Sequence, residues 1–235
     1  MLPLIHLVEP SRLLMTWQPS DERAPVRTRR VVGEVRADQA SGSVVFRYLK
    51  GTEDFAAAEA AGFKGFPAFR LDDAETRNGV LESLMRRLPP RNREDFDDYL
   101  GLHGLTAPFE LSDLALLGYT GARLPSDGFA LVPEFPPDAG PYDYVMEVAG
   151  TRHVLQGELS DLHVGDPVSI QPEPDNEVES DALAVLHNGH RIGYVNRALK
   201  DMFHRWLQSG RMTATIERQN GKPHRPLVFV RVSVT

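Results

Sequence analysis

Five acidic residues occupy every second position of the segment 173–181. They are Glu173, Asp175, Glu177, Glu179 and Asp181. Carboxylates spaced in this way can bind a hard cation such as calcium, or they can accept hydrogen bonds from hydroxyl groups. Residues 182–235, by contrast, hold nine lysines and arginines and two acids, a balance of +7. The sequence thus places a row of carboxylates directly before a strongly basic segment.

Calcium binding is one interpretation of the acidic row. Asp175, Glu177 and Glu179 have the spacing of the first, third and fifth positions of an EF-hand loop. The sixth position is Ser180 instead of glycine, and the twelfth is Leu186 instead of a bidentate glutamate. The pattern therefore lacks both the turn residue and the last ligand, and we predict no metal site.

Two histidines flank Asn188-Gly189, a pair that predicts a two-residue hairpin turn because both positions accept a positive φ. His187 and His190 could share a metal, but histidines beside a turn are more often solvated surface residues, and we expect that here. The sequence contains no HExxH, GxxxxGK[ST] or GxSxG motif. We therefore predict no catalytic site and no cofactor, and we do not expect an enzyme.

Cations surround an aromatic residue on and after this hairpin, and two more basic side chains follow the first strand of the same region. These residues are Arg152, His153, Arg191, Tyr194, Arg197 and Lys200. Cations bind phosphates and rings stack on bases, so the combination suits a single nucleic-acid strand. On spacing alone, a solvated basic face around a core tyrosine is the commoner outcome.

The composition is that of an ordinary soluble globular protein. The 235 residues are 41% hydrophobic and 25% charged, with no cysteine, which excludes disulfides and thiolate chemistry. The length favours two modest domains, with one large β-rich domain as the alternative. The first nine residues are too short and too polar for a signal peptide or a membrane span, so we expect a cytoplasmic protein.

Proline and glycine in residues 132–144 mark the most probable domain boundary. Before it, β-branched and aromatic content predicts strands, and helical spacing with capping residues predicts helices. The predicted strands are 12–17, 29–37, 43–49 and 128–134, and the predicted helices are 74–88, 93–102 and 112–118.

After the boundary the pattern is one of many short strands around one helix, which suggests a small barrel of the oligonucleotide-binding or SH3-like kind. The predicted strands are 143–150, 166–172, 181–187, 190–195, 211–218 and 225–234, the last two connected about Asn220-Gly221. Asn196 is expected to cap a helix over 197–209, which ends at Gly210.

Residues 145–235 resemble the HIRAN domain family. The resemblance runs through "VAGTRHVLQGEL", "GDPVSIQPEPDNEVESDALAV" and "RIGYVNRALKDMF" in the family's order and spacing. The family pattern of an acidic residue and proline, then asparagine, a second acid, a small residue and an aliphatic residue falls on six positions. They are Glu173, Pro174, Asn176, Glu179, Ala182 and Leu183.

This resemblance implies an oligonucleotide-binding-like barrel that binds the 3′ end of single-stranded DNA. It implies that Arg152 and His153 flank the terminal nucleotides, and that Asn176 and Glu179 meet the terminal sugar hydroxyl. It implies that Tyr194, Arg197 and the nearby cation Lys200 line the path of the strand and its phosphates. A carboxylate would accept a hydrogen bond from a free 3′-hydroxyl and would repel a phosphate. The chain departs from the family at His153 and Val178, where aromatic residues are usual, and at Glu179, where aspartate is usual.

Residues 12–134 resemble the N-terminal subdomain of HipA kinases, which also exists as the separate protein HipS of three-component toxin systems. The resemblance is carried by "LLMTW", "VVGEV", "VFRYL", "VLESLMRRLPP" and "DLALLGYTGARLPSDGFALVPE". It implies, as an alternative function, a regulator or antitoxin whose partner is a separate HipA-like kinase or a HipB-like DNA-binding protein. It implies no kinase activity in this chain.

These observations predict two non-catalytic domains. The first, residues 1–134, is an α+β domain of the HipS kind, and residues 135–144 form a proline-rich linker. The second, residues 145–235, is a small, mainly-β barrel of the HIRAN kind with one or two helices. The expected partner is the 3′ end of single-stranded DNA, with no membrane partner.

Overall fold

The chain folds into two compact units of mixed α and β structure. The structure, a computed structural model, describes residues 1–21, 28–38, 42–124, 126–155, 161–222 and 225–235. We call Val8–Leu100 with Thr106–Pro136 the N-terminal unit. The C-terminal unit comprises Met1–Leu7, Gly101–Leu105 and Pro137–Thr235. Within the described ranges, no helix has the length and apolar character needed to cross a membrane.

The N-terminal unit contains a four-stranded antiparallel sheet in the order β3-β2-β1-β4. The strands are β1 (Arg12–Trp17), β2 (Arg30–Ala37), β3 (Val44–Tyr48) and β4 (Ala130–Glu134). Aromatic side chains pack against the sheet: the rings of Phe46 and Phe69 stack with their centres 4.5 Å apart. All four strands lie where the β-branched and aromatic content predicts them.

Of the first four helices of the chain, two are shorter than their sequence patterns, one extends beyond the end of its pattern and one was not predicted. They are α1 (Glu53–Ala60), α2 (Val80–Met85), α3 (Phe96–Leu102) and α4 (Asp113–Thr120). The prediction of a helix over 74–88 is wrong at its start, because Thr76 pairs with Phe46 in the sheet and Gly79 adopts a φ of 67°. The alanine-rich helix α1 was not predicted. Thr52 begins it by accepting a hydrogen bond from the amide of Phe55.

The C-terminal unit contains two three-stranded antiparallel sheets, in the orders β5-β10-β9 and β6-β7-β8. Its elements are β5 (Tyr142–Glu147), α5 (Thr151–Val154), β6 (Ser169–Pro172), β7 (Leu183–His187), β8 (His190–Tyr194), α6 (Lys200–Ser209), β9 (Met212–Lys222) and β10 (Arg225–Val234). Single bridges, Ala149 to Tyr194 and Pro167 to Thr215, join the two sheets. A closed barrel remains a prediction.

Two turn predictions in this unit have opposite outcomes. Asn188 and Gly189 form the β7-β8 turn with φ values of 49° and 80°, as predicted. Asn220 and Gly221 do not form a turn: they pair with Leu227 and Pro226 inside the β9-β10 ladder. The prediction is wrong because the ladder continues to the pair of Lys222 and Arg225.

Helix α6 and the turn before it follow the sequence closely. Asn196 caps a single 3₁₀ turn (Arg197–Leu199) by accepting a hydrogen bond from the amide of Ala198 at 3.0 Å. The α6 helix continues to Ser209, and Gly210 ends it with a φ of 67°. Phe203 and Trp206 are buried with their ring centres 4.7 Å apart, so packing of this apolar face fixes the helix against the unit.

The first seven residues belong to the C-terminal unit, although the sequence analysis placed residues 1–134 together. Asp143 Oδ2 accepts hydrogen bonds from the amides of Ile5 and His6 at 2.9 and 3.1 Å. Asp143 Oδ1 accepts another from Ser233 Oγ at 2.6 Å. Burial alone would raise the pKa of Asp143, but these hydrogen bonds lower it below the usual aspartate value. A buried carboxylate thus fastens the start of the chain to β5 and β10.

Candidate nucleic-acid interface

The candidate interface is built on the β6-β7 connection, the β7-β8 hairpin and the 3₁₀ turn that follows. The connection closes on itself, because the amide of Glu173 donates to Ala182 O at 2.9 Å and the amide of Ala182 donates to Glu179 O at 3.0 Å. Since β8 pairs with β7, Arg191 and Tyr194 lie beside this loop. Residues far apart in sequence are therefore brought into one cluster.

Glu173 is the centre of the first half of the cluster. Its Oε2 accepts hydrogen bonds from Asn176 Nδ2 at 2.5 Å and from the Tyr194 hydroxyl at 3.0 Å. Its Oε1 accepts one from Arg191 Nη1 at 2.6 Å. The hydrogen bond from Asn176, followed by those from Tyr194 and Arg191, lowers the pKa of Glu173. Burial and the Glu173 carboxylate raise the pKa of Tyr194. The Tyr194 hydroxyl therefore stays protonated and donates a hydrogen bond to that carboxylate.

Asn176 turns the loop so that Glu179 faces the cations. Its Oδ1 accepts hydrogen bonds from the amides of Val178 and Glu179, both at 3.0 Å, which is the geometry of an Asx turn. Its Nδ2 is held by Glu173 and also donates to the Tyr194 hydroxyl at 3.2 Å. The asparagine amide is thus fixed on both sides.

The second half of the cluster is an ion-pair network around Glu179. Glu179 Oε1 accepts a hydrogen bond from Lys200 Nζ and lies 3.1 Å from Arg197 Nη2. Lys200 Nζ also donates to Asp181 Oδ1 at 2.5 Å, and this hydrogen bond lowers the pKa of Asp181. The acidic row and the basic segment therefore neutralise each other at this point, which neither pattern indicates by itself.

Arg152 and His153 are exposed on the short helix α5. Thr151 begins that helix and anchors it through a 2.7 Å hydrogen bond from its hydroxyl to Pro226 O. Arg152 Nε donates to His153 Nε2 at 2.9 Å. The Ala149-Tyr194 bridge, with hydrogen bonds of 2.8 and 2.9 Å, connects the residues before α5 to the β8 strand of the cluster.

Five of the seven predicted site residues lie in one hydrogen-bonded and ion-paired network. These are Asn176, Glu179, Tyr194, Arg197 and Lys200. Arg152 and His153 lie outside it, bonded to each other. Glu173, Asp181 and Arg191 also belong to the cluster. The sequence placed the first two in the acidic row and Arg191 among the cations of the hairpin, but the family resemblance assigned none of them a contact with DNA. The sequence feature that indicates their pairing is the alternation of acids before a basic hairpin. Opposite charges on neighbouring strands can form cross-strand ion pairs.

The rest of the acidic row does not join the network. Asp175 and Glu177 are exposed, and the side chain of Val178 between them and Glu179 is 85% exposed. In the described ranges, no three histidine, aspartate or glutamate side chains are grouped closely enough to hold a metal ion.

His187 is buried, which corrects the expectation that both turn histidines are solvated. It is 6% exposed, and its Nε2 lies 3.0 Å from Asp166 Oδ2. The backbone amide of His163 donates to the same oxygen at 2.9 Å and, with His187 nearby, lowers the pKa of Asp166. His190, across the turn, is exposed as expected.

Residues 141–234 match the family model of the HIRAN domain, and we identify them as a HIRAN domain. The solved HIRAN domain of human HLTF is similar at 15% identity, over 39% of this chain and 74% of that chain, with a TM-score of 0.32. A protein from Lactobacillus plantarum is similar at 22% identity, over 39% of this chain and 98% of that chain, with a TM-score of 0.31. A search of curated proteins finds no match.

The resemblance of residues 12–134 to the HipA subdomain has no support from the family model, whose match begins at residue 141. The HipS-like domain, the HipA-like kinase and the HipB-like partner therefore remain predictions from the sequence.

Proposed function

We propose that the HIRAN domain of this protein binds single-stranded DNA at a free 3′-hydroxyl end, and that the protein acts by binding, without catalysis. The observation that carries the proposal is the position of Glu179 on the Asx turn of Asn176, beside two cations. A fixed carboxylate next to cations suits a strand end, where a hydroxyl must be accepted and a neighbouring phosphate must be neutralised.

The two oxygens of Glu179 have different surroundings. Oε1 is in contact with both Lys200 and Arg197. Oε2 receives no hydrogen bond from any described residue, so it can accept one from a sugar hydroxyl. A 3′-phosphate would bring negative charge to the same oxygen, and two like charges at 4 Å repel by about 1 kcal/mol even in bulk water.

Two cations supply the phosphate contacts: Arg197, beside Glu179, and Arg152, which lies outside the ion-pair network. The side chain of Arg197 is 24% exposed, and Arg152 is exposed on α5. Because the whole chain carries a net charge of -7, binding depends on this local basic surface and should weaken as salt is added.

Fluorescence anisotropy of the full-length protein tests the proposal. Short labelled strands that differ only at the 3′ end, hydroxyl or phosphate, would be titrated at low and at moderate salt. We expect tighter binding of the hydroxyl strand, by about tenfold for one hydrogen bond to a charged group. Equal affinity for both ends would reject end recognition, and the absence of binding at low salt would reject DNA binding.

A further inference from the structure

Arg191 is a basic residue of the hairpin to which neither the family resemblance nor the comparisons assign a contact with DNA. It lies on β8, and its guanidinium carbon is 5.2 Å from the centre of the Tyr194 ring. Its Nη1 donates to Glu173 Oε1 at 2.6 Å. A planar guanidinium therefore lies over an aromatic ring and is tied at one end to a carboxylate.

The partners of Arg191 are themselves held in place. The Tyr194 hydroxyl donates to Glu173 Oε2 at 3.0 Å and accepts from Asn176 Nδ2 at 3.2 Å. Glu173 thus fixes both the ring and the cation above it. A side chain whose partners are fixed loses little further entropy when a ligand binds to it.

The Arg191 side chain is also accessible. It is 44% exposed although it contacts both Tyr194 and Glu173. The neighbouring loop residue Val178 is 85% exposed but has no ring, so it offers a base only aliphatic contact. Two exposed side chains of this loop and hairpin, those of His190 and Arg191, have planar groups on which a base can stack. Of the two, Arg191 is the one held in the cluster, by its contacts with Tyr194 and Glu173.

We propose that Arg191, positioned by Glu173 over Tyr194, is the stacking platform for an unpaired nucleobase. The inference rests on the proposed function, because it requires that the domain bind a single strand. It adds a contact to a base, whereas the 3′-end contacts of Glu179 and its cations involve only sugar and phosphate. The alternative is that Arg191 and Glu173 form only a surface ion pair, which makes no contact with the DNA strand.

The test combines Arg191→Lys in the full-length protein with strands that lack one base. Lysine keeps the charge but has no planar group. The labelled strands carry a single abasic site at successive positions from the 3′ end, and anisotropy gives each affinity. We expect Arg191→Lys to weaken binding of the intact strand by about 3- to 30-fold. One abasic position should weaken the wild type similarly and should cost the variant nothing more.

The matched control is Arg197→Lys, which makes the same replacement at a cation paired with Glu179. It should change affinity equally for intact and abasic strands. Wild-type affinity for Arg191→Lys, or losses that add at every abasic position, would overturn the stacking role while leaving strand binding intact. A wild-type protein that binds none of the strands would overturn the proposed function itself.

Discussion

Lys200 Nζ lies 2.5 Å from Asp181 Oδ1, in an ion pair whose members differ greatly in exposure. The lysine side chain is 9% exposed and the aspartate side chain 55%. An approaching strand therefore meets the carboxylate before the ammonium group. Asp181 both repels phosphates and occupies the cation that would otherwise bind them, so the ion pair opposes nucleic-acid binding at this point of the site.

Replacement of Asp181 by asparagine should strengthen binding of single-stranded DNA. The change removes one negative charge next to Lys200, and we expect affinity to rise by up to about fivefold, as one unit charge at close range predicts. If Lys200 then binds a phosphate, the slope of log affinity against log salt should steepen by about 0.7. Anisotropy titrations over a series of salt concentrations measure both quantities.

Asp175→Asn is the control for this prediction, since it makes the same charge change at an exposed position of the acidic row. Asp175→Asn should raise the affinity for single-stranded DNA less than Asp181→Asn does, and it should leave the slope of log affinity against log salt unchanged. Equal gains in the two variants would mean that only the net charge of the domain matters, and that the Lys200-Asp181 pair has no specific effect.

Glu179→Gln should invert the preference for strand ends. Glutamine keeps the shape but removes the charge that accepts a hydroxyl and repels a phosphate. Binding of a 3′-hydroxyl strand should fall by about tenfold, whereas binding of a 3′-phosphate strand should rise because Lys200 and Arg197 lose an anionic partner. The ratio of the two affinities, measured by anisotropy, is the readout.

Glu177→Gln is its matched control, because Glu177 lies two positions away and is exposed. Its ratio of affinities should equal that of the wild type. A Glu179→Gln protein that retains the wild-type ratio would show that another group reads the strand end.

Gly193→Ala should destabilise the C-terminal unit by about 1–3 kcal/mol or more. Gly193 has a φ of 151°, and a Cβ built there would lie 2.4 Å from Ala149 O, at the bridge that joins the two sheets. Urea unfolding followed by Trp206 fluorescence in a Trp17→Phe background measures the free energy of unfolding of this unit.

Gly189→Ala is the control for this prediction, since Gly189 has a φ of 80° but no atom lies within 4 Å of the position its Cβ would take. If Gly193→Ala lowers the free energy of unfolding no more than Gly189→Ala does, the structure accommodates the close approach to Ala149 without loss of stability.

Asp143→Asn should destabilise the same unit at pH 7 by about 1–3 kcal/mol, because the amide replaces a charged acceptor of three hydrogen bonds. The folded pKa of Asp143 is lowered, so its contribution is complete above the unfolded pKa of about 3.9. The contribution is lost as the pH falls through the lower, folded value. Urea unfolding at pH 7, 5 and 3 should therefore show a difference in the free energy of unfolding between wild type and Asp143→Asn that narrows only at pH 3.

The control is Asp138→Asn, at an exposed position, which should change the free energy of unfolding little at any pH. If the difference between wild type and Asp143→Asn stays constant down to pH 3, Asp143 is not ionised in the folded protein.

The features that the sequence predicted well are those decided within a few residues. Asn188 and Gly189 form the turn that their tolerance of positive φ predicts. Asn196 and Gly210 bound the helical segment between them, since a side-chain oxygen begins a helix and a left-handed glycine ends it. The alternating apolar residues of 225–234 form a strand with Val228, Val230 and Val232 fully buried. The family pattern is also a property of residue order, and it identified the segment that matches the HIRAN domain.

Local signals failed where tertiary pairing competes with them. Asn220-Gly221 has the composition of a turn, but the β9-β10 ladder continues through it. His187 is the last residue of β7 and precedes a turn, yet it is buried beside Asp166. In both cases a distant partner provides hydrogen bonds or burial that outweigh a local preference.

The sequence by itself determined the strands of the N-terminal unit, the β7-β8 hairpin, the ends of the helical segment 197–209 and the set of charged residues available to a ligand. Only the tertiary structure decided which charges meet. Glu173 reaches Tyr194, and Glu179 reaches Lys200, each across 21 positions of the chain. Such pairs form because the β7-β8 hairpin folds the acidic loop against the basic segment, and Coulomb attraction depends on distance in space and not on distance along the chain. The residues of the site could therefore be predicted from the sequence, whereas the ion pairs that neutralise their charges could not.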